Sequence, residues 1–225
     1  MTIAEIKKVP EIEILIDASN RHLAALGYTD HGHRHVGFVS RYAALILDKL
    51  GYDPGIVNLA AIAGYLHDVG NSVNRNNHSS IGATLVFPLL LKLDMSLADI
   101  VEIITAIGNH DEDTGAVSSP VAAALIIADK ADSHKSRVRN GKPEPGDIHD
   151  RVNYAIQRNK LTIEPDSRVI IHQIDMDGSS SILEYLTIYM PRIAMCEMAA
   201  DFLTCSFELC INGHSINKVD KLTKA

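Results

Sequence analysis

The sequence predicts a mainly α-helical protein that ends in a small α+β appendage. Three observations predict it. Up to about residue 160, apolar residues recur at helical spacing in one segment after another. Those segments are bracketed by residues that start and stop helices. After Pro165 the pattern changes to the β-branched runs and alternation of strands.

Residues 11–26 have helical apolar spacing and stop at Gly27. Residues 32–50 form a second helix, with Val36, Val39, Ala43, Ile46 and Leu50 on one side and Gly51 after it. Asp53-Pro54 starts a third: the Asp caps exposed backbone N–H groups, and a Pro at the first helical position gives up an N–H that has no partner there. That helix runs to about Asp68 and stops near Gly70. Another begins near His78 and runs toward Leu91, with Pro88 kinking or shortening it. Ser96 with Asp99 resembles a capping box and opens a helix to about Gly108. Ser119-Pro120 opens one that reaches Asp132 or beyond, and Asp147 caps one more through Gln157. The stretch from Gly141 to Gly146 is a loop. Beyond it, Arg168–Asp175 and Ser181–Tyr189 read as strands joined at the hairpin signal Asp177-Gly178. Pro191–Thr204 returns to helix, and Ser206–Ile211 is a candidate third strand. The expected organisation is a helical body over residues 1–160 and an α+β appendage over residues 161–225, packed on it.

Composition narrows the function classes. The chain has 225 residues, 46% of them hydrophobic, enough for a sizeable core. Its longest apolar runs, such as Thr84–Leu91 and Val121–Ala128, are far shorter than a membrane span. The first residues show no basic region followed by an apolar stretch, so no signal peptide is expected. Cys196, Cys205 and Cys210 lack zinc-type spacing and read as reduced thiols of a cytoplasmic protein. The net charge of −7 argues against general nucleic-acid binding. The one basic cluster, Lys130, Lys135, Arg137, Arg139 and Lys142, is either a solvated helix end or a rim that holds phosphate.

Histidine carries the signal, with eleven in the chain. His31 and His35 stand four apart at a helix start, and His35 continues the inward line of Val39 and Ile46. His67-Asp68 ends an otherwise apolar helix, where two buried polar groups are costly unless something pairs them. Asp129 and His110 likewise follow apolar helices. Several buried helices ending in imidazole or carboxylate point to a shared divalent metal centre.

The order His35, His67-Asp68, Asp129 resembles the H…HD…D signature of the HD-domain metal-dependent phosphohydrolase superfamily. The flanks HGHRHV, LHDVG and ADKAD resemble it too, across roughly residues 28–140. The resemblance implies an all-helical core with the site inside it. It implies that His35, His67, Asp68 and Asp129 hold one metal. In two-metal members Asp68 bridges, and His78 and His110 fall where the ligands of the second ion are expected. Two departures stand out. Several binuclear relatives have consecutive histidines where this chain has His110-Asp111, which leaves Asp111 as a ligand, an acceptor behind a ligand, or an exposed acid. The GYP element of the cyclic-di-GMP phosphodiesterase branch is absent, so that substrate is not supported.

The expected function is hydrolysis of a phosphate ester, of a nucleotide or another small molecule, by metal-activated water. The expected cofactors are two divalent ions drawn from Fe, Mn, Co, Ni, Zn or Mg. Asp68 would orient the attacking water, and Lys130 would hold a phosphate oxygen or form a surface salt bridge. The alternatives are a metal-binding sensor or interaction protein with little activity, and a di-iron oxygenase on the same fold. A homodimer is a further use of the appendage, because sheet edges must be covered. His22, His33, His149, His172 and His214 read as surface or structural. His31 reads as a cap-region residue or a phosphate contact, and His134 as a candidate for the pocket mouth.

Overall fold

The computed structural model describes residues 1–113 and 115–217. The end of the expected appendage, 218–225, lies outside the described residues. Helices α1 (Ile3–Ile6), α2 (Pro10–Ala25), α3 (His33–Lys49), α4 (Pro54–Leu66), α5 (His78–Lys92), α6 (Leu97–Gly108), α7 (Pro120–Lys130) and α8 (Ile148–Ala155) come first. Strands β1 (Ile156–Glu164) and β2 (Val169–Met176), helix α9 (Ile182–Phe202), and strands β3 (Ser206–Ile211) and β4 (His214–Ser215) follow. No helix among the described residues is long and apolar enough to cross a membrane.

The caps read from sequence are in place. Asp53 accepts from the Gly55 N–H, Ser96 from Asp99, Ser119 from Ala122 and Asp147 from His149. Pro88 sits inside α5 without ending it. Helix α1, at four residues too short to show an apolar period, is started by a capping box between Thr2 and Glu5.

Two helices are apolar all round and are therefore interior. Every residue of α7 from Val121 to Ala128 is fully buried, and the helix packs against α3, α4, α6 and α9. The last turns of α4, Leu59–Leu66, are buried as well. Gly64 lets α4 lie directly on α3: a Cβ there would come within 2.8 Å of the Ser40 Cα. The Ser40 hydroxyl donates to the Ala61 carbonyl at 2.7 Å across the same crossing. Beyond α4, a 3₁₀ turn (Val69–Ser72) presses Gly70 against the start of α5.

The C-terminal sheet differs from the sequence expectation in two respects. β1 already begins at Ile156, where helix was expected to continue. Its stretch Gln157-Arg158-Asn159-Lys160 has little intrinsic strand preference; pairing with β2 imposes the conformation. The hairpin therefore joins β1 and β2 through residues 165–168, with Arg168 at positive φ. The segment 181–189 is helix, not strand. Ser181 and Glu184 form a capping box that starts α9, and buried Tyr185 and Tyr189 stack at 4.5 Å to hold its first turns. Pro191 lies within this helix instead of opening it. Helix α9 then serves as the crossover between parallel strands β2 and β3, in a sheet of order β1-β2-β3-β4.

The sheet is tied to the end of α7. His172 on β2 is buried and its Nε2 lies 2.9 Å from Asn159 Oδ1, while Asn159 Nδ2 donates to the Ala131 carbonyl at 2.7 Å. Burial pushes the His172 pKa down from 6.5 to about 4. Above pH 6.5 the ring is neutral in both folded and unfolded chains. Below it, the unfolded chain takes up a proton that the folded one refuses, so stability falls until pH approaches 4. His172→Gln should remove roughly 2–3 kcal/mol of the stability lost between pH 7.5 and 4.5, measured by urea unfolding; an unchanged pH profile would exclude this origin. Gly64→Ala should cost about 1–3 kcal/mol in the same assay, because the atoms it meets are backbone; a neutral result would mean that α3 and α4 can separate freely.

Candidate metal centre

Helices α3, α4 and α7 and the loop after α6 deliver their terminal polar residues to one point. His35 Nε2 lies 3.2 Å from His67 Nε2, 3.4 Å from Asp129 Oδ1 and 3.5 Å from Asp68 Oδ2. His67 Nε2 is 3.5 Å from each of the same two carboxylate oxygens. On the other side of Asp68, Oδ1 lies 3.5 Å from His78 Nε2 and 3.9 Å from His110 Nε2, and those two nitrogens are 3.2 Å apart. All six residues named from sequence, His35, His67, Asp68, His78, His110 and Asp129, are thus brought together, with the two oxygens of Asp68 facing two imidazole pairs.

Hydrogen bonding fixes the ring tautomers. His67, His78 and His110 turn Nδ1 to the carbonyls of Gly64, Arg75 and Ile107, at 2.9, 3.1 and 2.6 Å. His35 turns Nδ1 to Asp132 Oδ2 at 2.6 Å. A carbonyl accepts and cannot donate, so Nδ1 carries the proton and Nε2 presents a lone pair. Two such pairs face one another at 3.2 Å, and Asp68 Oδ2 is buried with no hydrogen-bond partner. Converging lone pairs and an orphaned buried carboxylate oxygen require a cation. First-row divalent ions bind N and O ligands at roughly 2.0–2.2 Å, which spaces neighbouring ligand atoms by about 3–3.5 Å. The donor set therefore fits divalent metal.

Charges follow the same geometry. Burial works against ionisation of Asp68 and Asp129, yet both stay well below the usual carboxylate range. Neighbouring His67 and His35 hold Asp68 there, and Lys130 with His35 holds Asp129. Burial and Arg137 oppose charge on His35, but the carboxylates of Asp129, Asp132 and Asp68 around it prevail and raise it to about 10, so without a metal ion a proton takes the Nε2 lone pair. Burial, with His67 and His78 nearby, drops His110 to about 3. A proton and a metal ion compete for these nitrogens, so acid disfavours metal binding.

Residues 32–134 match the model of the HD domain family. Over this segment the chain is similar to the HD domain. An uncharacterized protein of Methanocaldococcus jannaschii is 29% identical over 213 residues, spanning 84% of this chain and 81% of that protein. The crystal structure of a predicted HD superfamily hydrolase from an uncultured Thermotogales bacterium is 21% identical, covering 59% of this chain and 74% of that one, with a TM-score of 0.45.

Around the His–Asp cluster, the structure adds Asp132, Asn71, Glu112 and Arg192, which sequence reading did not assign, and it places Asp111 and Lys130, which it did. Asp132 closes the quoted ADKAD motif, yet its role shows only in three dimensions: it takes His35 Nδ1 and a two-pronged contact from Arg34 at 3.0 and 2.5 Å. Asn71 Nδ2 donates to Asp68 Oδ1 at 2.8 Å. Asp111 lines the cavity over the cluster, with Oδ2 3.2 Å from His78 Nδ1, so it stands behind a histidine. Lys130 is buried, not a surface residue; its ammonium meets Asp129 Oδ2 at 2.8 Å and also Glu112. Arg192, far away on α9, donates to the other Glu112 oxygen at 2.9 Å.

Of the basic cluster, only Lys130 and Arg137 line this cavity. Arg139 instead ties the α2–α3 connection through Tyr28, Thr29 and Asn20, and Lys135 reaches Gln157. His134 caps the turn at Ser136 and approaches the Gln157 carbonyl; it is not at the cavity mouth. His31 does line the cavity, with Nε2 taking an N–H from Arg137 at 2.8 Å.

Partners behind metal-binding histidines tune ligand basicity and orientation. Asp132→Asn should lower metal affinity by about 10–100-fold, read by titration against a competing chelator. Unchanged affinity would show that Asp132 serves the fold alone.

Proposed function

We propose that this protein is a metal-dependent phosphohydrolase that cleaves a phosphate ester of a small molecule, a nucleotide being one candidate, with water as the nucleophile. The observation that carries this reading is the Asp68 carboxylate shared by two imidazole pairs at the floor of a cavity walled by cations. His35, His67, Asp68 and Asp129 would hold one divalent ion, and Asp68, His78 and His110 a second. Imidazole–carboxylate sets accept Mn, Fe, Co, Ni, Zn or Mg. When bound, such ions supply Lewis-acid charge that acidifies water and neutralises phosphoryl oxygens.

The chain's own groups do the rest. Lys130 and Arg192 face the cavity beside the Asp129 end of the cluster and draw in the phosphoryl group to be cleaved, while Arg75 and Arg137 stand elsewhere on its wall. An ammonium has three N–H donors. Asp129 and Glu112 take two from Lys130, which leaves one for a phosphoryl oxygen. That contact also keeps Asp129 Oδ2 occupied while Oδ1 faces His35 and His67. His31 turns Nδ1 to the Thr29 carbonyl and receives Arg137 at Nε2, so it orients that guanidinium. Among the described residues lining the cavity there is no Ser, Thr or Cys. Burial pushes the thiols of Cys196 and Cys205 up, away from the reactive thiolate. The absence of a lining hydroxyl or thiol favours direct attack by water over phosphoryl transfer to a Ser, Thr or Cys side chain.

Asp68→Ala should lose metal and all phosphate-ester hydrolysis while keeping the helical circular-dichroism signal. Metal content is read by elemental analysis and turnover on a panel of nucleotides and small phosphomonoesters. Retention of full metal content and activity would sink the proposal, as would oxygen-dependent turnover of an unphosphorylated substrate by the intact protein.

A further inference from the structure

The cavity over the metal cluster has two continuations, and they differ in charge. Both share Arg75 and Arg192. One runs out past Asp111, Glu112 and Asp113, three acids that repel an anion. The other runs past His31, Arg137, Tyr28 and Tyr189, and Asp147 is the one acid lining it among the described residues. Asp147 is already engaged as the cap of α8, where it accepts from the His149 N–H at 2.8 Å. In a chain with a net charge of −7, a cavity lined by three guanidiniums and one carboxylate is a local reversal of sign.

The arginines are unequally committed. Arg192 is balanced by Glu112 and lies over the Tyr189 ring, 5.1 Å from its centroid. Arg137 is 4% exposed; it gives one N–H to His31 and one to the Asp132 carbonyl, and its buried Nε–H has no acceptor. Arg75 has no carboxylate partner among the described residues. Its contacts are Asn71 Oδ1 and His78 Nε2, both at 3.4 Å, and the face of Tyr28 at 5.5 Å from the ring centroid. Two guanidiniums lining one cavity, one of them half-buried with no carboxylate partner, make a receptor for oxyanions.

We infer that the substrate carries a second phosphoryl group besides the one cleaved, and that Arg75 and Arg137 bind it in the cavity that continues past His31. This rests on the proposed phosphohydrolase reading for the position of the first phosphoryl group. Inorganic pyrophosphate, with two linked phosphoryl groups, and inorganic phosphate, with one, are the probes, measured by calorimetry on the metal-loaded protein. Arg75→Ala should weaken pyrophosphate by about tenfold or more, as expected for loss of a charge-assisted contact, and phosphate by less than about threefold. Arg75→Lys, which keeps the charge, should recover part of the pyrophosphate affinity and report that the loss is not misfolding. Equal loss for both anions, or no loss for either, would overturn the inference. Calorimetry needs no turnover, so a protein that hydrolyses no phosphate ester would refute the function proposed above and leave the binding result to decide this one.

Discussion

The arrangement depends on one constraint: four imidazole lone pairs and two buried carboxylates must be satisfied at a single point inside an apolar body. Uncompensated, such a cluster would be costly, since buried ionised groups are tolerated only when paired or bound to metal. The Nδ1 bonds to carbonyls and to Asp132 turn each ring's Nε2 toward the cluster. The cluster is therefore pre-organised for a cation before any cation arrives.

Backbone packing supplies the precision. Gly64 brings α4 onto α3, so that His67 and His35 meet at 3.2 Å. Gly70 brings the turn after Asp68 onto the start of α5, where a Cβ would run into the His78 carbonyl. The two glycines therefore set the two halves of the site, and Asp68 lies between them in the chain. Helix α7, buried on all sides, fixes the third direction from which Asp129 and Lys130 approach. This agrees with rigid elements carrying the ligands while loops and α9 shape the cavity wall.

Electrostatics then separates two roles within a few ångströms. The floor is rich in carboxylate and imidazole and suits cations. The wall, with Arg75, Arg137, Arg192 and Lys130, suits an oxyanion. Glu112 sits between Lys130 and Arg192, linking a residue adjacent to the metal cluster to the C-terminal helix. The α+β segment is thereby part of the site's wall.

The sequence alone determined most of the helices, because Asp, Ser and Pro at helix starts act through local backbone chemistry that needs no tertiary partner. It also pointed to the six cluster residues: His67-Asp68, His110 and Asp129 through their repeated place at the ends of apolar helices, His35 through its inward line, and His78 through the family resemblance alone. It misplaced β1 and the start of α9, where pairing with β2 and the packing of Tyr185 on Tyr189 outweighed local preference. Only the tertiary structure decided what surrounds the cluster. Asp132, Glu112, Arg75 and Arg192 come from four separate segments, and an ordinary acid or arginine in a loop or helix carries no periodic or spacing signal. The pair His67-Asp68 could be read from the chain; that the two oxygens of Asp68 face two different imidazole pairs could not, because that follows from how α3, α5 and the loop after α6 close around it.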